Sequence, residues 1–314
     1  MAEKMATRVA YGNALVEFGE KYEDLIVLDA DVSSATKTAA FGKKFPERFI
    51  NCGIAEGNMM AVAAGIATTG KIPFASSFAM FAAGRAFEPI RNAIGYPHLN
   101  VKIGATHAGV TVGEDGATHQ CCEDIGIMRT IPGMVIINPA DAVEARAAVE
   151  AAILYKGPVY MRFGRLAVPV IFDKETYKFE FGKGVQISDG KDASIIATGI
   201  LVAEAIKARE ILAADGIDAA VVNIHTIKPI DKDIIIKAAK TGAVVTAEEH
   251  NIIGGLGSAV AEVLSENLPC LMGRIGIKDE FGRSGKAEEL MGVFGITADD
   301  IVKKVKEIVR LKNK

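Results

Sequence analysis

Tryptophan is absent from this chain of 314 residues, aromatic residues make up only 6% of it, and histidine occurs five times. Cysteine is also scarce. Cys52, Cys121, Cys122 and Cys270 lack zinc-ligand spacing, and the adjacent pair is poorly placed for a framework disulfide. A reducing cytoplasm fits that usage. No apolar run approaches the roughly 18–20 residues needed to cross a bilayer, and residues 1–8 lack the apolar core of a signal peptide. Neither sign of charge dominates: 36 basic against 39 acidic residues leave a net charge of −3. That balance offers no field to hold nucleic acid or an anionic membrane. Low-complexity tracts and short repeats are missing as well.

What is present is an alternation of short β-branched runs with longer amphipathic ones, the pattern of crossover units around a parallel sheet. In the first half the pattern predicts strands at 25–29, 72–76, 100–104, 134–137 and 159–162, and helices at 7–21, 55–69, 78–94 and 142–154, the last capped by Asp141. Residues 169–191 break the rhythm and read as an ordered linker or a marginal hairpin. A second series then predicts strands at 194–197, 219–224, 243–247 and 271–275, with helices at 201–214, 232–239, 257–266 and 299–310. The length suits two domains.

Four clusters fall at predicted strand ends, where open α/β sheets bind ligands. Glu56 stands at a strand-to-helix junction ahead of an apolar helix, either as a carboxylate complementing the helix dipole or as a buried functional acid. Phe78 and Phe81 follow a strand, as a stacking platform for a flat heterocycle or as core. The loop from Thr106 to Gln120 holds His107, Asp115 and His119 among glycines, which points to a ligand or to catalysis; loop capping and metal ligation are the alternatives. Arg162 and Arg165 follow a strand end, where Arg165 beside Gly164 reads as a bidentate anion fork or as a surface ion pair. In the second half, Glu248-Glu249-His250-Asn251 and the glycines after it suggest a helix that packs closely on a strand, or an anion site at its N-terminus. No Gly-x-Gly-x-x-Gly stretch opens the chain, which argues against a Rossmann dinucleotide site.

Ile54-Ala55-Glu56-Gly57-Asn58, the segment from Ser77-Phe78 to Gly84, Gly113-Glu114-Asp115-Gly116-Ala117-Thr118-His119-Gln120, Ile131-Pro132-Gly133-Met134 and Pro139-Ala140-Asp141 resemble transketolase. The resemblance covers nearly the whole chain. It implies an α/β fold of two domains: a parallel-sheet pyrimidine-binding domain of thiamin-diphosphate enzymes at 1–168, a linker at 169–190, and a smaller transketolase C-terminal domain at 191–314. The family's diphosphate-binding Gly-Asp-Gly motif is not in this sequence; Ser188-Asp189-Gly190 is a near match in the wrong domain. The resemblance therefore implies one half of a split enzyme. A separate N-terminal subunit would carry most of the grip on thiamin diphosphate and on a divalent metal (Mg or Ca), with two copies of each subunit and no metal ligand in this chain.

Residue by residue, the resemblance makes Glu56 the acid that shares a proton with the aminopyrimidine ring. It places Phe78 and Phe81 against that ring and Asp31 along the cofactor site. His119 lies near the reactive carbon, Asp115 reads a sugar hydroxyl, and His107 and Arg165 grip the sugar phosphate with fixed charge. The implied reaction moves a two-carbon ketol unit from a ketose phosphate to an aldose phosphate, in pentose phosphate metabolism. A 1-deoxyxylulose-5-phosphate synthase, a 2-oxoacid dehydrogenase beta subunit and a non-catalytic assembly subunit are the alternatives.

Overall fold

A computed structural model describes residues 3–314. Its larger sheet has seven strands, in the order Thr226–Lys228, Val135–Ile137, Val159–Arg162, Lys102–Thr106, Ile72–Phe78, Leu25–Asp29 and Phe49–Asn51. All neighbours are parallel except the edge strand Thr226–Lys228, which runs antiparallel to Val135–Ile137. Alternation along the strands sorts side chains to opposite faces. Phe74, Val135, Ile137, Val159 and Met161 join one apolar cluster with the helices Thr7–Lys21 and Ala142–Leu154. Ala75, Ile136 and Tyr160 join another with Met59, Met60 and Ala63 of the helix Glu56–Ala67. With both faces covered, the central strand Lys102–Thr106 is buried along its whole length. Asp141 caps its helix by accepting the Glu144 amide at 2.8 Å.

The second sheet runs Leu271–Ile277, Ala243–Asn251, Ala193–Ala197, Ala219–Asn223 and Val185–Ser188, with only the last antiparallel to its neighbour. The closing helix Ala298–Lys312 opens with a capping box between Thr297 and Asp300 and buries Ile301, Val305 and Ile308. Both sheets lie in a mixed α/β architecture with two domains. They are not insulated from each other, because Ile196, Val222 and Val244 share the apolar cluster of Ala75 and Ile136.

One expectation fails, and one of two alternatives falls. The segment 169–191 is not a hairpin: Ala167–Pro169 pairs with Lys4–Ala6, and Val185–Ser188 pairs with the second sheet. Each end finds a better partner than the other end. Nor do residues 78–94 form a regular helix. Strand pairing continues through Phe78, and the chain then winds into π-helical turns at Met80–Arg85 and Ile90–Gly95 around the short helix Phe87–Pro89. Such wide turns re-aim side chains and are frequent at functional sites.

Candidate active site

Strands Ile72–Phe78 and Lys102–Thr106 end side by side, with Phe78 and Thr106 in register. His107, next after Thr106 and at φ 56°, is thereby laid on Phe78, with ring centroids 3.8 Å apart and planes 24° apart. Phe81 stacks on Phe78 at 5.6 Å and 13°. His119 meets both phenyl rings edge-on, at 6.2 Å and 5.3 Å. The Arg85 guanidinium lies 4.3 Å over the Phe81 ring, and its Nη1 donates to Glu56 Oε1 at 3.2 Å. Glu56 is only 4% exposed and begins the helix Glu56–Ala67. The structure thus gathers Glu56, Phe78, Phe81, His107 and His119 into one constellation. Arg85 joins it, a residue that no local pattern singles out.

His107 cannot supply the fixed charge expected of it. Burial, helped by Arg8, Arg165, Lys37 and His119, lowers its pKa to about 3. The ring is neutral: Arg8 Nη1 donates to Nε2 at 3.0 Å, so Nδ1 carries the hydrogen, facing Thr106 Oγ1 at 2.9 Å. Positive charge comes instead from Arg8 and Arg165, close enough that each counts among the causes acting on His107 and that Arg165 helps to lower the pKa of Arg8. Sequence reasoning missed Arg8. Its signal was an arginine in the first turn of the helix Thr7–Lys21, where a cation opposes the dipole. Its Nε is buried without a hydrogen-bond partner.

Arg165 is already engaged, donating to the Val112 carbonyl and to Glu114 Oε2 at 3.1 Å. Arg162 is held in a buried ion pair with Asp124. It is 3% exposed, its Nε sits 2.9 Å from Asp124 Oδ2, and its Nη2 donates to the Glu249 carbonyl at 2.8 Å. Asp115 is exposed on the rim of the histidine loop. Asp31, at φ 64°, accepts from Asn51 Nδ2 at 3.0 Å. The turn that carries it is tied down by Asp29, which accepts the Val32 amide and the Thr36 and Thr38 hydroxyls at 2.7–2.8 Å.

The second domain clamps the histidine loop. Glu249 Oε1 accepts the Thr111 amide at 2.6 Å, Gln120 Nε2 donates to the Arg283 carbonyl at 3.0 Å, and Ser284 Oγ donates to the Glu114 carbonyl at 2.7 Å. The helix N-terminus after Glu248 is no free anion site, because Glu248 itself accepts the Leu256 and Gly257 amides. Beside Phe81 and Arg85 opens a cavity of about 630 Å³, walled also by Glu123, Asp279 and Phe281. Ile54, two residues before Glu56, and Phe281, on the cavity wall, are 77% and 88% exposed. Among the described residues, no group of three or more His, Cys, Asp or Glu side chains is placed to hold a metal ion, and no helix is long and apolar enough to cross a membrane.

The family described as the transketolase pyrimidine-binding domain matches residues 3–170, and the one described as the transketolase C-terminal domain matches residues 182–301. A putative transketolase C-terminal section of Methanocaldococcus jannaschii is 56% identical over 302 residues, covering 96% of this chain and 95% of that one. A 6-deoxy-6-sulfo-D-fructose transketolase subunit of a Clostridium species is 44% identical, covering 98% and 95%. Among solved structures, a split gene transketolase described as an inactive beta4 tetramer superposes with a TM-score of 0.90 at 51% identity, covering 99% of this chain and 100% of that one. This chain belongs to the transketolase family, as a split subunit comprising the pyrimidine-binding and C-terminal domains, with the transferase role of that family.

Proposed function

We propose that the chain is the C-terminal subunit of a two-subunit transketolase that moves a two-carbon ketol unit from a ketose phosphate to an aldose phosphate. It works in the cytoplasm, and thiamin diphosphate lies between it and an N-terminal subunit bearing the diphosphate-binding domain. Two copies of each subunit form the assembly. The divalent metal is held by the partner. Domain limits of 1–168 and 191–314, joined by 169–190, go with this reading.

The observation that carries it is the buried Glu56 carboxyl beside the Phe78–Phe81 stack. That set fits an aminopyrimidine, which asks for one carboxyl against a ring nitrogen and an aromatic face against the ring. Glu56 would hold a proton against that nitrogen. When bound, the cofactor supplies the electron sink for carbon–carbon cleavage. His119, edge-on to both phenyl rings, would donate to substrate oxygens, with Asp115 reading a sugar hydroxyl and Asp31 lining the cofactor's approach. Arg8 and Arg165 supply the charge for the substrate's anionic end, and neutral His107 steadies the Arg8 guanidinium by accepting its hydrogen bond. The exposed Ile54 and Phe281 supply apolar surface for the partner to cover.

The test is reconstitution. The purified chain should show no ketol transfer, and addition of a subunit carrying Gly-Asp-Gly should restore it. Sugar phosphates and a 6-deoxy-6-sulfo sugar, compared as donors, identify the anion that Arg8 and Arg165 take. Full activity of a Glu56→Gln pair would refute the assignment of the acid.

A further inference from the structure

Arg85 makes two contacts at the candidate cofactor site, one to Glu56 and one to Phe81. Its side chain is 56% exposed, yet it reaches back to a carboxyl whose side chain is only 5% exposed, at 3.2 Å. It also lies 4.3 Å above the Phe81 ring. A guanidinium is flat, carries N–H donors along its edge and stacks on aromatic faces. An aminopyrimidine presents the same features to the same partners: an edge hydrogen bond to Glu56 and a face to the phenyl rings.

We propose that Arg85 is a stand-in for the pyrimidine ring: it fills the Glu56–Phe81 site while the ring is absent and is displaced when the ring enters. The inference rests on the reading of Glu56 given above and adds a competitor to it. The structure also offers the displaced cation a second seat. Arg85 lines the cavity of about 630 Å³ whose wall carries Glu123, Asp279 and Glu280. Asp279 and Glu280 belong to the second domain and are exposed; Glu280 pairs with Arg283 at 3.1 Å. Arg85 thus pairs with Glu56 and also lines a cavity whose wall carries acidic side chains. The seat at Glu56 is the one the ring needs. Holding it protects a buried carboxyl from standing unpaired, which is costly.

The test is calorimetric titration of thiamin diphosphate into the full chain paired with its N-terminal subunit. Arg85→Met should bind about fivefold more tightly than wild type, the size of one partly exposed ion pair no longer opposing entry. The double variant Asp279→Asn, Glu280→Gln should bind about fivefold more weakly, and that loss should vanish when Arg85→Met is added. A merely structural role for the acids would give the same loss in both backgrounds, and that result overturns the proposal. So does an Arg85→Met pair that binds no more tightly than wild type. Glu56→Ala keeps the two ideas apart: undiminished affinity there refutes the Glu56 reading, whereas weakened affinity together with an inert Arg85→Met refutes the stand-in alone. The Arg85 Nε–H resonance gives a readout without any variant. It should move on cofactor addition to the wild-type pair, and a fixed resonance would contradict displacement.

Discussion

Thr111 and Glu249 are separated by 138 residues and joined by a hydrogen bond of 2.6 Å from the Thr111 amide to the Glu249 carboxyl. Through it the C-terminal domain fixes the loop that carries His107, Asp115 and His119. The clamp is close: a Cβ built on Gly109 would lie 2.2 Å from the Glu249 carboxyl carbon.

Burial raises the Glu249 pKa to about 7, against an ordinary 4.5, with Arg162 and the Thr111 amide opposing the shift. The folded chain therefore keeps this proton after the unfolded chain has lost it. Its contribution is full at acid pH and is lost as pH rises through that interval, by on the order of 3 kcal/mol. Glu249→Gln keeps an acceptor for the Thr111 amide and removes the titration. Urea unfolding should show stability falling less steeply with pH in the variant between about pH 5 and 7.5; equal slopes would show that Glu249 is not the titrating group.

Gly109 and Gly53 both have positive φ, 79° and 68°, but nothing lies within 4 Å of a Cβ at Gly53. Gly53→Ala should cost only the left-handed backbone strain, about 1–2 kcal/mol. Gly109→Ala meets an extended positive-φ backbone (φ 79°, ψ −172°) kept for glycine and must also push the Glu249 carboxyl aside, for a total of roughly 3 kcal/mol or more. Paired melting curves decide the matter, and equal losses would mean that the clamp yields freely.

His107 should remain neutral and hydrogenated on Nδ1 from about pH 5 to pH 8, because burial is the first cause of its lowered pKa. Long-range proton–nitrogen spectra report the tautomer directly. Arg8→Met should leave the ring neutral while freeing Nε2 from its donor. A doubly protonated ring at pH 6 would restore the charged role that the sequence suggested.

Much of the frame was legible because burial on both sheet faces writes itself as β-branched runs between amphipathic ones. Asp141 was readable as a cap because capping is local. The three-residue edge strand Thr226–Lys228 was not, being too short to show a period. Residues 78–94 looked helical because apolar spacing does not distinguish a strand end and wide turns from one regular helix. The clusters around Glu56, Phe78, His107 and His119 could be named from composition, but their convergence depends on the register of Phe78 with Thr106. Arg85 on Glu56, Arg8 on His107 and Glu249 on Thr111 are contacts between distant segments, which no local pattern carries.

The central claim is that Glu56 faces a thiamin ring held jointly by two chains, and titration of thiamin diphosphate into each chain alone and into their mixture tests it most directly. Strong binding should appear only in the mixture and should disappear with Glu56→Ala. Equally strong binding by this chain alone, or an unchanged isotherm for the Glu56→Ala mixture, would contradict it.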